Sequence, residues 1–400
     1  MKNFKRNVPF LAFNQAIMVS GSTMVITTAS IVGFRLAADK SLATLPIAAL
    51  QLFTMLTTIP AALLMERIGR KSGFVIAGFS GVMGGLIASF AILQENFGLF
   101  VMASALFGVH NGFGGYFRFA AADSAPENYK SKAISWVLAG GVLAAFLGPN
   151  LAVFTNDLLK QAQFAGSYLV LSVFFGASCI SAFSLKLPGI SNNSANSPPA
   201  SRSLWVIARQ PRFSVALICA TLGYASMALV MTATPLAMAR HAHPFESAAF
   251  VIQWHVVAMF APSFITGRLI TRFGLLRILA FGVLFGFITA GVNLHGQTIW
   301  HFVIALVALG LCWNFLFIGG TTLLTETYQP SERAKTQGLN DFLVFTAVAA
   351  ASLSSGTIQH QFGWRAINLA VIPFFVLVLS AVALLFVQNR KKETPSRLGG

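Results

Sequence analysis

The sequence predicts an all-α membrane protein of twelve transmembrane helices in two six-helix halves. Of its 400 residues, 56% are hydrophobic and only 10% are charged, whereas a soluble domain carries about 25% charged residues. Apolar runs long enough to cross a bilayer recur twelve times, and one polar segment divides them six and six. The mean hydropathy of +0.73 agrees.

A helix of about 20 residues, rising about 1.5 Å per residue, crosses a hydrocarbon layer about 30 Å thick. Runs of that kind fall at 8–34, 43–65, 73–93, 97–118, 133–156, 164–184, 213–238, 248–270, 276–295, 299–323, 334–358 and 364–388. Backbone polar groups cannot stay unpaired in lipid, so these spans are read as helices. They lack the alternation of a barrel strand.

The net charge of +16 would suit nucleic acid, but its distribution points to a lipid bilayer and to no nucleic-acid partner. With a cytoplasmic N-terminus, 22 of the 27 Lys and Arg residues fall on the cytoplasmic side. Only Arg35, Lys40, Lys160, Arg240 and Arg365 fall on the other. The positive-inside rule then places both termini in the cytoplasm, and the expected location is the inner (plasma) membrane. Cys179, Cys219 and Cys312 all lie in apolar spans and read as small buried hydrophobes. The first span, behind Lys2, Lys5 and Arg6, reads as a retained anchor.

The segment 191–203, Ser-Asn-Asn-Ser-Ala-Asn-Ser-Pro-Pro-Ala-Ser-Arg-Ser, has no apolar face and reads as a linker. It gives an N-terminal half at 1–190, a cytoplasmic linker at 191–212 and a C-terminal half at 213–400 with a short tail. Leu204 to Ile207, followed by Arg209 and Arg212, suggests a short interfacial helix. An ungapped offset of 205 residues aligns the halves. Leu64 meets Leu269, Arg67 meets Arg272, and Gly69 meets Gly274. Gly114 and Gly115 meet Gly319 and Gly320, Glu127 meets Glu332, and Lys130 meets Lys335. Six-helix repeats of this kind place a solute site between the halves, near the midplane.

Between the second and third spans the chain reads Ala62-Leu63-Leu64-Met65-Glu66-Arg67-Ile68-Gly69-Arg70-Lys71. The second half carries Gly267-Arg268-Leu269-Ile270-Thr271-Arg272-Phe273-Gly274. This resembles the signature loop of the major facilitator superfamily, which has Ala62 replaced by glycine and Glu66 by aspartate. The resemblance implies a secondary transporter of the major facilitator fold that moves a small-molecule substrate by alternating access. It implies a latch of Glu66, Arg67, Arg70, Arg118 and Asp123, with Arg70 and Lys71 holding the loop on the cytoplasmic face, and stabilisation of the outward-facing state by loops carrying Glu66, Arg70, Asp123 and Glu332. The bland alternative is that these charges only enforce topology. Gly140, Gly141, Gly148 and Pro149 partly resemble a proton-antiporter motif, though small residues in a membrane helix also mean close packing.

Polar side chains inside spans are candidates because leaving them unpaired in lipid is costly. By resemblance, spans one, four, seven and ten line the cavity, with help from two, five, eight and eleven. The candidates there are Asn14, Gln15, His110, Asn111, Tyr224, Gln253, Trp254, His255, Trp313 and Asn314. For each, an interhelical hydrogen bond or core packing is the competing reading. Trp254 and Trp313 would offer faces to a flat substrate, while Trp300 and Trp364 read as interfacial anchors. Asp341 is the deepest carboxylate, and a carboxyl shielded from water suits a proton carrier. The alternative is a gating partner for Arg118.

No zinc-type cluster, phosphate-cradling Gly-Lys loop or nucleophile elbow is present in the sequence. The expectation is a non-enzyme with no cofactor and no metal, acting as a monomer, with protons as the coupling ion. The stretch Cys312-Trp313-Asn314-Phe315-Leu316-Phe317-Ile318-Gly319-Gly320-Thr321, with Glu326-Thr327-Tyr328-Gln329-Pro330-Ser331-Glu332-Arg333 after it, resembles a bacterial branch associated with riboflavin import. Drug or metabolite efflux by proton antiport is the rival transport reading, and a non-transporting membrane sensor is the rival class.

Overall fold

The computed structural model describes residues 2–124, 130–187, 202–329 and 332–393. The chain runs as α1 (Lys2–Leu36), a 3-10 turn (Lys40–Leu42), α2 (Leu45–Ile68), α3 (Arg70–Leu93), α4 (Phe97–Gly114), α5 (Phe117–Ser124), α6 (Lys130–Thr155), α7 (Ala165–Phe183), α8 (Leu204–Ala208), α9 (Pro211–Arg240), α10 (Phe245–Phe260), α11 (Ser263–Phe273), α12 (Leu275–His295), α13 (Ile299–Thr325), α14 (Arg333–Gln361) and α15 (Gly363–Glu393). Among the described residues, ten helices are long and apolar enough to cross a membrane by themselves, and α10 with α11 makes an eleventh, bent by 45°. The remaining expected span is α6, whose apolar part Ala139–Thr155 is shorter than the others.

Two expected spans are broken. The run 97–118 ends as helix α4 at Gly114 and resumes as α5 at Phe117. Gly112, Gly114 and Gly115 weaken the helix there, and the Tyr116 hydroxyl is tied to the Thr58 carbonyl of α2 at 2.9 Å. The run 248–270 breaks at Ala261–Pro262, where proline removes a backbone donor.

The first six spans pack chiefly as α1 on α6, α3 on α7 and α2 on α4, and the last six as α12 on α13, α9 on α13 and α9 on α14. Small residues permit the tightest of these approaches. A Cβ at Gly140 would sit 2.6 Å from the Ala12 carbonyl oxygen, and one at Gly148 would collide with Thr23 Oγ1. Four apolar clusters result. A large one in the C-terminal half takes in Ala145 and Ile26 from the other half, a small one joins Ala220 and Ala228 to Val344 and Val348, and two fill the N-terminal half. Many large apolar side chains outside these cores are exposed, such as Phe79 at 63% and Leu384 at 65%, as expected where the outer surface meets lipid.

Some sequence expectations of detail change. Trp364 is only 3% exposed and packs on Phe302 at 5.4 Å, so it is a core residue rather than an interfacial anchor. Trp300, at 66% exposed, sits on the surface. The linker residues 191–201 and Glu127 lie outside the described residues.

The repeat has a backbone counterpart. Gly69 joins α2 to α3 at φ 83° and ψ 150°, and Gly274 joins α11 to α12 at φ 88° and ψ 144°. Only glycine adopts that region without strain. Gly267, one helical stretch earlier, has no such φ and open space around a would-be Cβ. Gly69→Ala and Gly274→Ala should therefore each cost about 1–3 kcal/mol, while Gly267→Ala should be neutral or slightly stabilising. Thermal melts of the purified variants check this; three equal shifts would contradict it.

Candidate substrate and gating site

The span breaks at Ala261–Pro262, and Asn314 of α13 braces the break from both sides. Its Nδ2 donates to the Met259 carbonyl at 2.7 Å and to Ser263 Oγ at 2.8 Å. Its Oδ1 accepts from Thr266 Oγ1 at 2.7 Å. The Asn314 side chain is fully buried and spent on the α10–α11 break, so it acts as a scaffold for the bend.

Beside it lies an aromatic cluster. Trp313 stacks on Phe317 at 5.0 Å and 12° between planes. Tyr224 of α9 stands at 81° to both rings, 5.4 Å from Trp313 and 5.5 Å from Phe317. Phe345 of α14 closes on Tyr224 at 5.8 Å, and Phe260, just before the break, meets Trp313 at 5.9 Å. Tyr224, Trp313 and Phe345 sit near the middles of their helices. Phe260 reaches the other half, where a Cβ at Gly141 of α6 would touch its ring at 3.5 Å. Phe260, Phe317 and Phe345 were not among the residues singled out from sequence. Phe317 was legible, since it lies four residues after Trp313 and so on the same helix face.

The other candidates scatter. Asn14 is bonded to the Phe10 carbonyl at 2.7 Å and to Ser181 Oγ at 2.5 Å, and it accepts from Ser178; it fastens α1 to α7. Gln15 is buried. Asn111 donates to Ser22 Oγ at 2.9 Å, joining α4 to α1. His110 Nδ1 meets the Ala77 carbonyl at 2.8 Å, and His255 Nδ1 meets the Leu306 carbonyl at 2.7 Å. A carbonyl only accepts, so the proton sits on Nδ1, and each Nε2 is a buried acceptor without a partner among the described residues. Gln253 accepts from Asn150 Nδ2 at 2.7 Å across the α6–α10 seam. Trp254 lies on that seam at 39% exposure, edge-on to Phe146 and Phe250, apart from the Trp313 cluster.

Among the described residues, the hydrogen bonds that cross between the halves lie from mid-membrane towards the face holding the Lys40–Leu42 turn. Thr44 Oγ1 accepts from Gly356 N at 3.0 Å and donates to the Leu353 carbonyl at 3.3 Å. Thr357 Oγ1 donates to the Ser41 carbonyl at 3.4 Å, and Thr346 Oγ1 meets Met55 Sδ at 3.0 Å. Phe164 and Phe245 add an edge-to-face contact at 4.9 Å.

Towards the opposite face, which carries the chain ends, Arg118 of α5 and Asp341 of α14 are close enough to attract one another. Asp341 Oδ1 also accepts from Asn340 Nδ2 at 3.2 Å. Arg67, Lys71 and Arg272 are exposed, with Arg272 over the Phe273 ring at 5.4 Å, and Arg70 is partnered. The side chains of Glu66 and Asp123 lie outside the described residues. Glu332, buried at the start of α14, accepts from Arg202 Nε at 2.8 Å, Arg202 Nη2 at 2.7 Å and Gln329 N at 2.9 Å. Its partner is therefore the C-terminal part of the linker. Arg202 also donates to the Thr327 carbonyl at 3.1 Å. Arg202 was missed from sequence because nothing local marks which of the many cytoplasmic cations would fold back.

The Major Facilitator Superfamily profile matches residues 11–252 and 216–399. The chain is 40% identical over 380 residues to the riboflavin transporter RfnT of Brucella anthropi, covering 95% of this chain and 96% of that one. It is 25% identical to the MFS-type transporter YddS of Bacillus subtilis, covering 97% and 93%. Among solved structures, a variant of the nucleoside transporter NupG superposes with TM-score 0.74 at 13% identity, covering 96% and 100%. A POT-family peptide transporter superposes with TM-score 0.69 at 12% identity, covering 96% and 97%. These likenesses in structure concern the fold alone.

The Arg202 guanidinium, hydrogen-bonded to Glu332, holds that carboxyl at about 2, below its usual 4.5. A depressed folded-state value stabilises the protein above the unfolded value and is lost as pH falls through the folded one. The melting-temperature gap between the wild type and Glu332→Gln should be constant at neutral pH and should shrink as pH falls below the usual 4.5 towards about 2. A gap that widened on acidification would contradict the pairing.

Proposed function

The chain belongs to the major facilitator superfamily, and from that premise we propose that it is a riboflavin transporter, working in the uptake direction. The observation that carries this reading is the 40% identity to RfnT, spread over 95% of the chain. The aromatic cluster of Tyr224, Trp313, Phe317 and Phe345 supports it, because flat rings such as a flavin bind well against aromatic faces. The two halves, 1–190 and 213–400, rock about this midplane site. The hydrogen bonds around Thr44 and Gly356 close one entrance, and the latch residues of the signature loop close the other in the alternate state.

In this reading the face bearing the chain ends is cytoplasmic, the membrane is the inner (plasma) membrane, and the protein acts as a monomer. The charge asymmetry supports that orientation. Protons drive transport through Asp341. Asp341 and Arg118 come from opposite halves, so a proton on Asp341 would weaken a contact between the halves and couple protonation to their separation.

Expression in a riboflavin auxotroph should restore growth on low external riboflavin and give saturable uptake of labelled riboflavin. Growth and uptake equal to those of cells without the protein would rule the reading out. Asp341→Asn should flatten the pH dependence of uptake while riboflavin binding persists; an unchanged pH profile would remove the proton role.

A further inference from the structure

Trp313 carries a polar atom that the protein leaves unanswered. The residue is 7% exposed, and its Nε1–H is buried without an acceptor among the described residues. Indole is a donor only. A buried indole N–H usually finds a partner, and leaving it unmet is costly. On α9, one turn before Tyr224, Thr221 Oγ1 is likewise buried and unpartnered. Trp364 also has an unmet N–H, but it lies at the start of α15 against Phe302, within the last six helices. Trp313 instead sits mid-helix, in the cluster that reaches the seam between the halves through Phe260.

The rings around it have distinct roles. Trp313 is covered on one face by the stacked Phe317 and meets Phe260 edge-on, and it is itself buried. Tyr224, Phe317 and Phe345 are half-buried and keep surface to offer. Tyr224 is perpendicular to the parallel pair of Trp313 and Phe317. The unmet donor and the half-buried rings belong to one cluster, so a planar ligand on those rings lies beside the residue that carries the donor.

We propose that Tyr224, Phe317 and Phe345 form the ring-binding subsite for a planar heteroaromatic solute, and that the Trp313 N–H donates to a carbonyl oxygen or ring nitrogen on its edge. Trp313 is thus a specificity residue that separates acceptor-bearing rings from plain aromatic ones. The proposal rests on the riboflavin reading only for the identity of the ring. A site built to hydrogen-bond an edge discriminates against analogues lacking it, because the buried group is then left unpaired.

The test is equilibrium binding to the purified full chain of riboflavin, purine and pyrimidine nucleosides, and a flavin-like ring lacking the edge carbonyls. Wild-type protein should bind the acceptor-less ring about tenfold more weakly than riboflavin. Trp313→Phe should weaken riboflavin by a similar factor and leave the acceptor-less ring unchanged, with an unaltered melting temperature in the absence of ligand. Tyr224→Ala should weaken both rings. If riboflavin does not bind but a nucleoside does and loses affinity in Trp313→Phe, the riboflavin reading falls and the subsite stands. Equal affinity of wild type and Trp313→Phe for every bound ring overturns the subsite, as does binding of no planar heteroaromatic at all. Should Trp313→Phe fail to fold, the wild-type comparison of the two rings decides by itself: equal affinities overturn the proposal.

Discussion

In hydrocarbon there is no water to complete a broken hydrogen bond, so every interruption of a helix must be answered by another part of the protein. Pro262 makes such an interruption in the eighth span, and Asn314 answers it with three hydrogen bonds, each worth about 1 kcal/mol net and more if left unmade. That requirement fixes α13 against the α10–α11 break. It also fixes the neighbouring Trp313 against Phe260, and so places the aromatic cluster at the seam of the two halves. Asn314, which braces the bend, and Trp313 of the aromatic cluster are consecutive residues on α13.

The same requirement explains why so many candidate polar residues prove to be structural. Asn14 joins α1 to α7, Asn111 joins α4 to α1, and Gln253 joins α10 to α6. An amide in a membrane span offers both donors and an acceptor, and the nearest helix usually takes them. Residues whose polar atoms remain unmet, such as Trp313, then carry more functional information than residues that are merely polar.

The class of fold was legible because composition and run length leave few alternatives, and the repeat was legible at Gly69 and Gly274, where one backbone conformation demands glycine twice. The breaks were only half legible. Pro262 and the glycines before Tyr116 were visible, but the bend direction depends on which neighbour supplies Asn314 or the Thr58 carbonyl. The partner of Glu332 was not legible, since Arg202 lies 130 residues away along the chain. Phe260 and Phe345 could be matched to Tyr224 and Trp313 only through long-range packing, which no local pattern encodes.

We propose that the two halves, hydrogen-bonded to one another near the Lys40–Leu42 turn, exchange closure on that face for closure on the other. The most direct measurement uses two spin-label pairs in a chain relieved of its native cysteines: Leu42→Cys with His360→Cys on the turn face, and Ile68→Cys with Phe273→Cys, the repeat-related positions on the other face. Distances would be read by double electron–electron resonance with and without solute. The account predicts opposite changes in the populations, with the first pair lengthening as the second shortens. Two distances that move together, or that stay fixed while solute is transported, would contradict it.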